Sequence, residues 1–109
     1  MIAVEKYRAI CQQHPRYTAR TNKTGRARDF LDIHAVVTSR TIDLGSDANR
    51  DLFRSVFTAK RVPFELLRDL DGQREFHRSD WPSVEQSATG LLGSFDFYFD
   101  FVLARIPPL

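Results

Sequence analysis

The apolar residues of this chain recur at helical spacing in short blocks, and each block is cut off by proline or glycine before it can extend far. Residues 2–13 hold neither Gly nor Pro and predict a first helix, stopped by Pro15. Residues 14–26 (HPRYTARTNKTGR) have turn formers and no apolar period, so they read as a basic loop. Residues 27–39 (ARDFLDIHAVVTS) predict a second helix, opening just after Gly25. Ser46 or Asp47 is placed to cap a third over about 47–60, where Leu52, Phe53, Val56 and Phe57 keep helical spacing. Pro63 suits the first turn of a short helix over 63–70. Residues 71–80 (DGQREFHRSD) read as a polar link, followed by a helix that begins near Ser83 and is interrupted by Gly90 and Gly93.

Segment 94–106 (SFDFYFDFVLARI) fits two periods. Phe95, Phe97, Phe99 and Phe101 alternate with Asp96, Tyr98 and Asp100, as in a strand. The run continues to helical length, with Phe95, Phe99, Val102 and Ile106 on one face, and the helical reading is adopted. Phe97 and Phe101 then point away from that face, so this helix is apolar on two sides and needs a second neighbour or a partner chain. The expected fold is all-α: a compact single domain of five to six helices over residues 1–109.

Bulk properties narrow the class. A chain of 109 residues with 42% hydrophobic residues can bury one modest core. No apolar run approaches the roughly 20 residues that span a bilayer. The N-terminal segment meets Glu5 and Lys6 too soon for a signal peptide. The lone Cys11 cannot form an internal disulfide, which fits a reducing compartment and a cytoplasmic location, away from membranes.

The net charge of +2 is unevenly spread. Residues 1–40 hold eight Lys and Arg against three Asp and Glu, whereas residues 41–109 hold eight against eleven. Lys6, Arg8, Arg16, Arg20, Lys23, Arg26 and Arg28 cluster with no acid between Glu5 and Asp29. Such a patch serves a phosphate-bearing partner, with Arg16, Arg20, Lys23 and Arg26 as the contacts, or it is a solvated loop balanced by acids that fold over it.

Two charges break the helical pattern. On a wheel at about 100° per residue, Ile2, Ala3, Val4, Tyr7, Ala9, Ile10 and Cys11 form the apolar arc of the first helix, and Lys6 lies inside it. Asp29 likewise falls between Ile33 and Val36 on the second. Buried charges are normally paired, so Lys6 and Asp29 are expected to meet or to share a ligand. Asp32 borders the same arc and stands four residues after Arg28, ready for an i, i+4 pair. The blander account gives Asp29 to the helix dipole and lets Lys6 extend outward along its stem.

At these residues the sequence resembles a known family. Glu5-Lys6-Tyr7-Arg8-Ala9-Ile10, and then Arg26-Ala27-Arg28-Asp29-Phe30-Leu31-Asp32-Ile33, resemble the helical C-terminal part of the AbiEii-type nucleotidyltransferases, the toxins of type IV toxin–antitoxin and abortive-infection systems. Leu-Phe-Arg and Phe-Thr-Ala-Lys-Arg, ahead of a Trp and a terminal aromatic helix, extend the similarity. The resemblance implies that Lys6 contacts nucleotide phosphates and that Asp29, supported by Arg28 and Asp32, is the acidic residue of the last motif. It also implies Mg²⁺ and a nucleoside triphosphate, held by a Gly-Ser turn and an Asp-x-Asp or Asp-x-Glu pair. Neither Gly45-Ser46 nor Gly93-Ser94 has the order or spacing for that role. The expectation is therefore a truncated or degenerate domain, not catalytic alone and without a metal site of its own. The chain is then a fragment, a degraded relative, or one part of a split enzyme with a separate catalytic subunit.

Two other readings compete. Arg28 and His34 have the Arg-x4–6-His spacing of a HEPN-type ribonuclease, although His34 lies on the apolar side near Phe30 and Val37. The basic 14–28 loop alone would make an RNA-binding or interaction module, with Arg16, Tyr17 and Arg20 in contact. His14 and His77 are expected in polar loops, and no His, Cys and Asp set has zinc spacing. No P-loop, Rossmann fingerprint or serine elbow occurs. An uncovered apolar face also predicts self-association through Phe97, Phe101 and Trp81.

Overall fold

The computed structural model describes all 109 residues and contains helices only. In chain order these are α1 (Ile2–Cys11), α2 (Ala27–Arg40), α3 (Asp47–Ala59), α4 (Glu65–Arg68), a 3₁₀ helix (Leu70–Gln73), α5 (Arg74–Arg78), α6 (Trp81–Ser87) and α7 (Phe95–Ala104). Seven α-helices exceed the five to six expected, and the surplus lies in the segment read as a polar link. Residues 71–80 carry few apolar side chains, yet His77 is buried there and, with Leu70 just ahead of the segment, holds the 3₁₀ helix and α5 onto the core. Helix α6 starts at Trp81, two residues ahead of the expected Ser83, with Pro82 in its first turn. It ends at Ser87, so Gly90 and Gly93 follow the helix and do not interrupt it.

The termini of the longer helices follow local chemistry. The Ser46 hydroxyl accepts from Asn49 N at 3.3 Å, which makes Ser46 the α3 cap and Asp47 its first helical residue. Ser94 does the same for α7, accepting from Phe97 N at 3.1 Å. This cap is one reason the 94–106 segment takes the helical period. The other is that Phe95, Phe99 and Val102 then reach the core together. Helix α2 ends on Thr41 at φ 50°, a left-handed position that disfavours a β-branched residue.

Helix α2 is the centre of the packing, with α1 on one side and α7 and α6 on the other. Its Phe30 is fully buried, stacked on Phe99 at 5.0 Å and edge-on to Phe95 at 5.8 Å. A second aromatic run, Tyr7, Phe53, Phe57 and Phe64, joins α1 to α3 and to the start of α4. The Tyr7 hydroxyl donates to the Val102 carbonyl at 2.8 Å and ties α1 to α7. The molecule measures 35 × 35 × 19 Å, about two helix diameters thick.

Two expectations about exposure are corrected here. Trp81 is only 7% exposed, packed against Phe95 and Tyr98 at 5.7 and 5.6 Å, and is no surface anchor. Ile2 is 50% exposed and does not join the buried arc of α1. No helix is long and apolar enough to cross a membrane.

Candidate functional site

The two charges that break the helical pattern meet. Lys6 Nζ donates to Asp29 Oδ1 at 3.3 Å and to Asp32 Oδ2 at 3.1 Å, bridging α1 to two successive turns of α2. The second oxygen of each carboxylate is also taken. Arg26 Nε donates to Asp29 Oδ2 at 2.6 Å, and Arg28 Nε donates to Asp32 Oδ1 at 3.1 Å. Asp29 is almost wholly buried, whereas Lys6 and Asp32 are about 30% exposed along their side chains and Arg28 is 60% exposed. The network thus runs from a buried acid to a solvent-facing guanidinium. Burial opposes charge on Lys6, but its hydrogen bonds to Asp32 and Asp29 outweigh that and hold its pKa above the ordinary lysine value.

These groups open onto a cleft of about 310 Å³ lined by Lys6, Thr24, Gly25, Arg26, Arg28, Asp29, Asp32 and Asp80, without one apolar side chain. Three cations and three carboxylates balance, so the cleft is neutral as well as polar. Its floor is braced from far along the chain. Asp80 stands at the start of α6, yet its carboxylate caps α2, accepting from Ala27 N at 3.1 Å. His77 Nδ1 accepts from Arg26 N at 3.0 Å, which leaves the ring proton on Nε2. Gln13 Oε1 accepts from Thr24 N at 2.8 Å. Between these bonds Gly25 is seated so tightly that a Cβ would lie 2.9 Å from Asp80 Cβ and 3.1 Å from the Phe76 carbonyl oxygen.

Sequence reasoning reached Lys6, Asp29, Arg28 and Asp32, and the structure brings all four together. It missed Thr24, Gly25, His77 and Asp80. Gly25 before a helix and Asp80 before Trp81-Pro82 were the only local signals, and nothing in the spacing joins residues more than 50 positions apart. His77 corrects its placement in a polar loop: it is 1% exposed, with its ring against Phe30 and Phe76. Burial pushes the imidazole down to about 4 against the pull of Asp29. His14 is likewise buried, its Nδ1 accepting from Arg16 N.

The basic loop is divided. Arg16 pairs with Asp69, an acid folded over it from the second half of the chain, and Arg26 belongs to the cleft. Arg20 donates only to the Asn22 carbonyl, and Lys23 lies over the Tyr17 ring and donates to the Tyr17 carbonyl. Neither Arg20 nor Lys23 has a carboxylate within 4 Å. His34 does not join Arg28. Its ring packs edge-on against Phe97, Tyr98 and Phe101 at 4.6–5.3 Å, on another side of α2.

The donor set argues against Mg²⁺ bound by these residues alone. Both oxygens of Asp29 and both of Asp32 are engaged by cations, and one oxygen of Asp80 is on a backbone amide. A hard divalent ion needs several free oxygen donors, which this cluster does not offer. No protein-family model, curated protein or solved structure matches the chain.

Proposed function

We propose that the Lys6 cleft is the nucleotide-facing half of a nucleotidyltransferase site of the AbiEii type, completed by metal-binding carboxylates that these residues do not supply. The observation that carries the reading is the arrangement at Lys6. Two of its three N–H groups are fixed by Asp29 and Asp32, and the third is left to an all-polar cleft that Arg26 and Arg28 also line. An ammonium aimed in this way is a point-charge phosphate donor, and Asp29 and Asp32 are the groups that aim it. The neutrality of the cleft favours a ligand whose own charge is partly compensated, as in a Mg²⁺-bound triphosphate. Alone the chain binds without transferring.

Calorimetric titration with Mg²⁺ and each nucleoside triphosphate tests this. Binding is expected, and both Lys6→Met, which keeps the packed stem, and Arg28→Ala, at an exposed position, should weaken it by about 10- to 100-fold, the scale of one charged hydrogen bond. Absence of binding by the folded wild-type chain, or binding indifferent to both substitutions, overturns the reading.

The acid-free Arg20 and Lys23 favour one second reading, a nucleic-acid-binding module. It requires steep salt dependence and loss of binding in an Arg20→Ala, Lys23→Ala double variant, with no response to Lys6.

A further inference from the structure

We infer that two copies of this chain associate through α7, with the two helices side by side and parallel. The buried side of α7 is formed by Phe95, Tyr98, Phe99 and Val102. The opposite side carries Phe97, Phe101 and Ala104, separated by four and then three residues, the spacing of the seam in a two-stranded coil. Phe97 is 53% exposed, the most exposed aromatic side chain of the molecule, Phe101 is half-buried, and Ala104 is exposed at the C-terminal end of the stripe. His34 packs edge-on against both Phe97 and Phe101 from α2 and holds the two rings in place beneath it.

The charges beside the stripe identify the occupant as a second copy in one orientation. Asp100 flanks the seam on one side and Arg105 on the other, five residues later. In a parallel pair, a residue on one flank meets the residue five positions on from the opposite flank of its neighbour. Asp100 of each copy therefore meets Arg105 of the other, twice by symmetry. An antiparallel pair would set Asp100 against Asp100. Both groups have capacity to spare. Asp100 uses only Oδ1, on Arg74 at 2.7 Å. Arg105 lies over the Phe101 ring at 3.5 Å, donates only to the Phe101 carbonyl and has no carboxylate within 4 Å. The seam is about 10 Å long, so the association belongs to the weak class.

Sedimentation equilibrium over about 10–500 µM decides the question. The wild-type chain should show a monomer–dimer equilibrium in that range. Asp100→Lys and Arg105→Glu should each weaken it severalfold, and an equimolar mixture of the two variants should restore it. Only the heterodimer regains both cross-pairs, so recovery on mixing separates the interface from any effect on a single chain's fold. Ala104→Cys should cross-link to its own counterpart on oxidation, because the native Cys11 is buried. A wild-type chain that stays monomeric overturns the proposal. So do a dimer indifferent to both charge reversals, a mixture that does not recover, and an Ala104→Cys chain that does not cross-link.

Discussion

At the scale of single residues, His77 carries the sharpest consequence. Its ring is buried, its Nδ1 receives the Arg26 amide, and its pKa is pushed down to about 4 from the ordinary 6.5. The unfolded chain therefore takes up a proton between pH 6.5 and 4 that the folded chain refuses, and stability falls as pH drops through that window. The loss should reach about 3 kcal/mol and level off below pH 4, where both states are protonated. His14 and His34, lowered chiefly by burial, act in the same direction. Denaturant unfolding measured from pH 7 to 3.5 checks this, with His77→Gln expected to lose most of the slope. A protonated Nδ1 would also oppose its donor to the Arg26 N–H, so acid loosens the loop that seats Gly25. None of this was legible in the sequence, because a histidine among Arg74, Glu75, Arg78 and Asp80 has the neighbours of a surface residue. Lys6 and Asp29 were legible for the converse reason: each interrupts an apolar arc, and a charge in that position needs an opposite one.

At the scale of elements, the first three helices and α7 followed from period, with a cap read only for the third, because long apolar stripes fix both the type of element and the face it buries. The link over 71–80 did not, since a 3₁₀ turn and a five-residue helix need only Leu70 and His77 as anchors. Helix α5 adds charged contacts to that anchor. Arg74 and Arg78 reach Asp96 and Asp100 on α7 and lie over Phe99 and Phe95 at 4.4 and 5.3 Å. These side chains are largely at the surface, where ion pairs contribute little, so α7 depends more on its core face and its cap. Ser94→Ala removes the bond to Phe97 N and should cost about 1 kcal/mol, read as a shift in the urea midpoint with unchanged m-value.

For the whole molecule, Phe30 of α2 is the side chain on which α5 and α7 converge, meeting His77, Phe95 and Phe99. Phe30→Ala should cost about 3–5 kcal/mol, a large part of the roughly 5–15 kcal/mol typical of a domain, and thermal unfolding should show it as a steep fall in Tm. The chain order of these contacts also bears on its synthesis. Phe30 is made early, but Phe95 and Phe99 come about 70 residues later, roughly 4–14 s at ribosomal rates of about 5–20 residues per second. Throughout that interval the growing polypeptide carries an uncovered aromatic face, and the native core closes only after α7 has been made.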